Sequence, residues 1–229
     1  MKWGVVTFPG SLDDRDTLHT LREVMGQEAI SLWHKDESLG GAHCVVLPGG
    51  FSYGDYLRCG AIARFSPIMR SVARFAAEGG LVMGICNGFQ ILCEAHLLPG
   101  ALTRNRSLSF ICERVTLRVE NPHTPFTRAA RQGELLRLPI KHGEGLYLAP
   151  EDELRQMEEH GQVLLRYVGA DGAQSETANP NGSSRAIAGV ANQRFNVFGL
   201  MPHPEHAAEP LLGGEDGLRI FQSIVESVG

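Results

Sequence analysis

This sequence predicts an α/β fold: a mostly parallel sheet with helices on both faces and an antiparallel extension. Three observations carry that prediction. Strand-length apolar runs alternate with helical patterns up to Pro99, which implies parallel strands joined by crossover helices. Beyond Pro99, strand-like runs succeed one another with turns between them and little helix. An amphipathic segment then closes the chain.

Taken in order, "KWGVVTF" reads as a buried strand and "DDRDTLHTLREVMG" as a capped helix that stops at Gly26. "EAISLWH" and "AHCVVLPGG" supply two more strand-length runs. "AIARFSPIMRSVARFAAEGG" is helical in pattern, but Pro67 lacks the N–H a helix interior needs, so it must start a new turn or kink the helix. "LVMGIC" is a strand and "NGFQILCEAHLL" a helix. "ICERVTLRVE", "LLRLPIK", "QVLLRYV", "AIAGVAN" and "NVFGLMP" form the strand-rich part, and "EDGLRIFQSIVESV" is the closing helix. No repeat, low-complexity segment or long linker divides the chain, so residues 1–229 are expected to form one domain.

Composition narrows the function classes. With 43% hydrophobic and 21% charged residues, the 229-residue chain is an ordinary globular sequence with enough apolar surface for a substantial core. Acidic residues outnumber basic ones by 26 to 21, a net charge of −5, which argues against a nucleic-acid or anionic-membrane binder. No apolar run approaches a membrane span, and the first residues do not read as a signal peptide. The five cysteines (44, 59, 86, 93 and 112) lack paired spacing, so all are expected to be reduced thiols in a cytoplasmic protein.

One cysteine stands apart. In "GLVMGICNGFQIL", Cys86 lies between Gly84 and Gly88 where a strand runs into a helix. A tight strand–turn–helix elbow projects its turn residue from the carboxyl edge of the sheet, and flanking glycines remove side chains that would collide there. The helix N-terminus beside the sulfur favours thiolate. On these residues alone, a packed core cysteine between two glycines remains an alternative.

A nucleophilic thiol needs a base. In "GLMPHPEH", Pro204 biases His203 towards extended backbone, so Glu205, two residues on, projects the same way and reaches the imidazole. A carboxylate there holds the tautomer and supports the imidazolium. A rigid proline turn with two exposed polar residues is the alternative. The run "VVLPGGFSYGD" supplies a third element: Gly50 offers an N–H free of side-chain obstruction, and Asn87, after the cysteine, offers another for an oxyanion. No Lys-Ser or Lys-Thr follows those glycines, so a phosphate loop fails, as does a dinucleotide fingerprint.

Together these segments resemble the class I, triad-type glutamine amidotransferases, through Gly84, Cys86, Gly88 and Gln90 and the Pro-His-Pro-Glu segment at 202–205. The resemblance implies a flavodoxin-like sheet, Cys86 as nucleophile, His203 as base, Glu205 as its orienter, Gly50 and Asn87 as oxyanion donors, and Gln90 in the substrate pocket. "PGGFSYGDYLRCGAIA", "LTRNRSLSFICE", "PIKHGEG", "NPNGS" and "MPHPE" are similar to segments of one family, the glutaminase subunits of phosphoribosylformylglycinamidine synthase. That family's implied chemistry is release of ammonia from glutamine through a cysteine thioester. Its implied partners are a separate synthetase, which uses ATP and Mg²⁺, and a small adapter subunit. No cofactor is implied on this chain. His206 stands where arginine is expected in many relatives, outside the triad.

The resemblance further implies that Ser107, Leu108 and Phe110 wall the glutamine pocket, whereas Arg104 and Arg106 also read as a solvated basic turn. His142 and Glu144 of "KHGEG" lack the three or four ligands zinc requires, so no metal is expected and the loop belongs near the active site or a subunit interface. The loop of Tyr53, Asp55, Tyr56 and Arg58 is expected to sense the synthetase, with a plain surface loop as the alternative. A related cysteine hydrolase that cleaves peptides or esters, and a non-catalytic subunit, are the competing functions.

Overall fold

The computed structural model describes residues 1–228. Its strands are β1 (Lys2–Thr7), β2 (Glu28–Trp33), β3 (Cys44–Leu47), β4 (Leu81–Ile85), β5 (Ala101–Thr103), β6 (Ile111–Val119), β7 (Leu135–His142), β8 (Leu146–Leu148), β9 (Val163–Val168), β10 (Ile187–Ala191) and β11 (Val197–Leu200). The α-helices are α1 (Asp14–His19), α2 (Pro67–Ala77), α3 (Asn87–Glu94), α4 (Glu151–Glu159) and α5 (Leu218–Val228).

Nine strands form one sheet in the order β2-β1-β3-β4-β11-β10-β9-β6-β7. The first five are parallel and the remaining four continue antiparallel, as the change of texture after Pro99 implies. With β11 in the fifth place, the parallel half has the flavodoxin-like 2-1-3-4-5 order, whose crevice opens beyond the carboxyl ends of the strands. β5 and β8 pair separately.

Register shows how both faces are covered. Trp3, Cys44 and Leu81 lie in line, as do Val46, Met83 and Phe198, and Trp3 packs against Phe221 of α5 while Phe198 packs against Phe126. On the opposite face Leu47, Gly84 and Gly199 lie in line beneath α3. β3 is buried at every position, so it reads as a continuous apolar run without alternation. Full burial of each such side chain contributes roughly 1.5–3 kcal/mol.

Two elements differ from the sequence reading. α1 ends at His19 and continues as a π-helical turn over Thr20–Val24, with the N–H of Met25 donating to the Thr20 carbonyl. Gly26 ends the segment at φ +64. α4 was not expected: its nine residues bury only Leu154 and Met157, and Pro150 occupies the capping position without a side-chain bond. Pro67 begins α2, as its missing N–H requires. Among the described residues no helix is long and apolar enough to cross a membrane.

Candidate active site

The elbow forms where β4 ends. Cys86 has φ 50 and ψ −105, a conformation that costs a residue with a side chain about 1–3 kcal/mol. Its N–H donates to the Leu200 carbonyl at 2.8 Å, and its own carbonyl accepts from the Gln90 N–H at 3.2 Å. The glycines are a steric necessity. A Cβ on Gly88 would run into the Leu47 carbonyl, and one on Gly84 would stand 2.6 Å from the Gly88 backbone.

The sulfur is buried, with Sγ 3.8 Å from the Lys141 carbonyl. Burial pushes the thiol up from its ordinary value, and the Asp13 and Glu205 carboxylates push it further. Lys141 and the Asn87 N–H oppose this without reversing it. Desolvation is the largest of these influences and acts against the thiolate that the helix N-terminus favours. The nucleophile needs a base.

His203 follows β11, the neighbour of β4, and its N–H donates to the Pro139 carbonyl at 2.8 Å. The backbone is extended at His203, and Pro204 then opens a short 3-10 turn over Pro204–Ala207. Nδ1 lies 2.5 Å from Glu205 Oε1, with both side chains fully buried. Burial disfavours charge on each member, pushing the His203 imidazole down and the Glu205 carboxyl up from their ordinary values. His203 Nε2 is buried and has no partner.

Asp13 is the residue that sequence reasoning missed. Its Oδ2 lies 3.6 Å from His203 Nδ1 and its Oδ1 2.5 Å from Lys141 Nζ. It stands at the N-cap position of α1 yet makes no capping bond with its side chain. That side chain turns into the crevice instead, and the pattern "DDRD" alone does not show it. His206 stacks on His203 at 5.1 Å between ring centroids and reaches Asp16 at 3.0 Å. Asp13, His203, Glu205 and His206 bring donor atoms within 4.8 Å of one another. The Lys141 ammonium already balances Asp13 there, and Nδ1 is engaged by Glu205.

Beyond β3, Gly50 pairs with Ser11 through an antiparallel bridge built on the Phe51 N–H and the Gly49 carbonyl. That geometry leaves the Gly50 N–H outside the ladder. Gly50 has φ +139, and a Cβ there would meet the Leu12 nitrogen at 2.6 Å. The Asn87 side chain braces this loop to α3: Oδ1 accepts from the Ser52 N–H, and Nδ2 reaches Asp55 at 3.2 Å and Gln90 Oε1 at 2.8 Å.

A cavity of about 180 Å³ is lined by Gly50, Phe51, Asp55, Cys59, Cys86, Gln90, Phe110, Lys141, His142, Gly143 and Glu144. Gln90 reaches it with its amide N–H groups engaged by the Glu144 carbonyl at 2.6 Å. Phe110 lines it, whereas Ser107 and Leu108 do not. The Leu108 N–H closes a turn onto the Asn105 carbonyl, and that turn leaves Leu108 78% exposed. In the preceding loop Tyr53 is anchored to His34 and Ser66, and Arg58 to Glu94, while Tyr56 and Leu57 face solvent.

A buried thiol on a strained elbow, a buried imidazole–carboxylate pair on the adjacent strand end and a Gly50 N–H left outside the ladder suit attack on a carbonyl. The class follows from the match of residues 1–213 to the model of the CobB/CobQ-like glutamine amidotransferase domain. The chain is 58% identical over 227 residues to the phosphoribosylformylglycinamidine synthase subunit PurQ of Salinibacter ruber, covering 99% of this chain and 97% of that one. The PurQ subunit of Gloeobacter violaceus is 55% identical, covering 99% and 98%. A chain in the structure of PurLQS from Thermotoga maritima superposes with a TM-score of 0.88 at 47% identity, covering 100% of this chain and 99% of that one. This chain belongs to the PurQ family of phosphoribosylformylglycinamidine synthase subunits.

Proposed function

We propose that this chain hydrolyses glutamine and passes the ammonia to a synthetase subunit that makes phosphoribosylformylglycinamidine in purine biosynthesis. The observation that carries the reading is the placement of Cys86 on its elbow beside the strand that delivers the buried His203–Glu205 pair.

In this reading Cys86 gives its proton to His203 Nε2 as sulfur attacks the side-chain carbonyl carbon of glutamine. The oxyanion takes the N–H groups of Gly50 and Asn87. The imidazolium returns the proton to the leaving nitrogen, so ammonia departs and a glutamyl thioester remains. His203 then deprotonates a water molecule, whose attack on the thioester releases glutamate and restores the thiol. Glu205 holds the ring aligned throughout, and Gln90 and Phe110 bound the substrate.

Ammonia free in neutral water would be protonated and lose its nucleophilicity, so a shielded path to the partner is expected. The name PurLQS, borne by the Thermotoga maritima structure, supports a complex with a synthetase and a small adapter subunit. ATP and Mg²⁺ act on the synthetase, and no cofactor is assigned to this chain. The exposed Tyr56 and Leu57, next to Asp55 on the cavity wall, suit a loop that senses the partner. The reading places the chain in the cytoplasm, where its five free thiols stay reduced.

The test is glutamate release from glutamine by the chain alone and by the chain with synthetase, adapter, Mg²⁺ and ADP. Strong stimulation by the partners is expected. Equal rates in both conditions would assign the glutaminase to a different synthetase.

A further inference from the structure

The His203 imidazole has one face covered by a second ring. His203 and His206 bracket the short turn that Pro204 opens, and the His206 N–H closes it on the His203 carbonyl at 3.3 Å. In a 3-10 turn, side chains three positions apart eclipse one another. The two imidazoles accordingly lie nearly parallel, with 13° between their planes and 5.1 Å between their centroids.

The second ring is itself held. His206 Nε2 lies 3.0 Å from Asp16 Oδ2, and Asp13 Oδ1 stands 3.7 Å from the same nitrogen. An ionised carboxylate only accepts, so Nε2 carries a proton whether or not Nδ1 does. Thr20 Oγ1 donates to the Glu205 carbonyl at 3.3 Å, and His19 Nε2 meets Glu209 Oε1 at 3.0 Å. Asp16, His19 and Thr20 belong to α1 and its π-helical continuation, so one helical segment fastens the turn that carries the base and its orienter. What these contacts add is a plane. The Glu205 contact fixes one ring nitrogen, and an imidazole held at one atom still rocks about it and carries Nε2 along. Gly49 limits one edge, where an added Cβ would stand 2.8 Å from His203 Cε1. His206 limits a face, and it lies outside the cavity wall.

We propose that His206, tethered by Asp16, is a positioning residue that sets the ring plane of His203 and with it the direction of Nε2, an inference that rests on the glutaminase reading. His206 touches no substrate and exchanges no proton with the thiol. Asp16 acts only through it. A misaimed base slows proton transfer without changing how glutamine is held, so the role shows in kcat and leaves KM alone.

The experiment measures glutamine hydrolysis by the complete complex. In His206→Ala, kcat is expected to fall by roughly 10- to 100-fold with KM little changed, while synthesis from added ammonium salt continues at the wild-type rate. His206→Phe restores a flat ring without the tether and should recover part of that loss. Asp16→Ala should lower kcat in the wild-type background and have no further effect in His206→Ala. Phenylalanine no better than alanine, or losses that simply add, would overturn the proposal. A raised KM at unchanged kcat, or loss of ammonium-dependent synthesis, would make His206 structural and overturn it too. A wild-type complex that leaves glutamine intact would instead remove the glutaminase reading beneath it. Independently of turnover, imidazole ¹⁵N NMR of the free protein should find a proton on His206 Nε2; a ring whose only proton sits on Nδ1 would overturn the tether.

Discussion

The Cys86 N–H donates to the Leu200 carbonyl at 2.8 Å, and this one bond ties the end of the strand that carries the thiol to the end of the strand that leads to the imidazole. β4 and β11 pair in register up to Ile85 and Leu200. Cys86 leaves its strand one residue later and His203 three residues later, so both emerge into the same crevice. The parallel pairing of two segments more than a hundred residues apart thus does the positioning, and neither segment could hold the geometry alone.

Cys86→Ala tests whether that thiol is the nucleophile. Alanine fits the elbow and removes only the sulfur. Glutamine-dependent synthesis by the complex should vanish, with at least a ~10³-fold loss, while synthesis from added ammonium salt is retained. Loss of both activities would assign Cys86 a structural role.

Glu205→Gln probes the orienter. The amide keeps the shape but cannot support an imidazolium, so kcat for glutamine should drop by about 10²–10⁴ with KM little changed. Asp13 Oδ2 remains 3.6 Å from Nδ1 and leaves part of the charge stabilisation in place. Asp13→Asn combined with Glu205→Gln should therefore fall below Glu205→Gln alone. Equal rates for the single and double variants would show that Asp13 contributes nothing to the reaction.

Gly88→Ala separates packing from chemistry. Its new methyl would enter the Leu47 carbonyl, and backbone cannot yield there as a flexible side chain would. Overpacking of this kind costs about 1–3 kcal/mol, a fall in Tm of roughly 2–10 °C for a chain this size. Thermal unfolding followed by circular dichroism measures it. An unchanged Tm would mean that α3 shifts freely against β3.

Where periodicity and local chemistry agree, the sequence shows the structure. β1, β3 and β4 are short apolar runs bounded by turns, and the elbow and the His203–Glu205 spacing are local patterns within a few residues. Asp13 and Lys141 are 128 positions apart, and only the folded sheet brings them together. α4 hides because it is mostly charged, with two buried apolar residues and no polar cap. Ser107 and Leu108 lie beside Phe110 in sequence but not in the cavity, because the turn at Asn105 sends them outward. The hydrogen bond between His142 Nδ1 and Asn105 Oδ1 spans 37 positions, and "KHGEG" carries no trace of it.

The burial of His142 also sets a pH dependence of stability. Its native value of about 4 lies below the unfolded 6.5, so between those values the unfolded chain binds a proton that the native state refuses. Stability from this group is therefore complete above pH 6.5 and is lost as pH falls, at up to about 1.4 kcal/mol per pH unit. Other groups titrate over the same range, His203 among them, so the comparison must be with a variant that lacks only this imidazole. Urea unfolding of wild type and His142→Gln at pH 7.5 and pH 5 supplies it. The wild type should lose about 2 kcal/mol more than the variant between the two conditions. Parallel losses would mean that His142 takes up its proton in the native state as readily as in the unfolded chain.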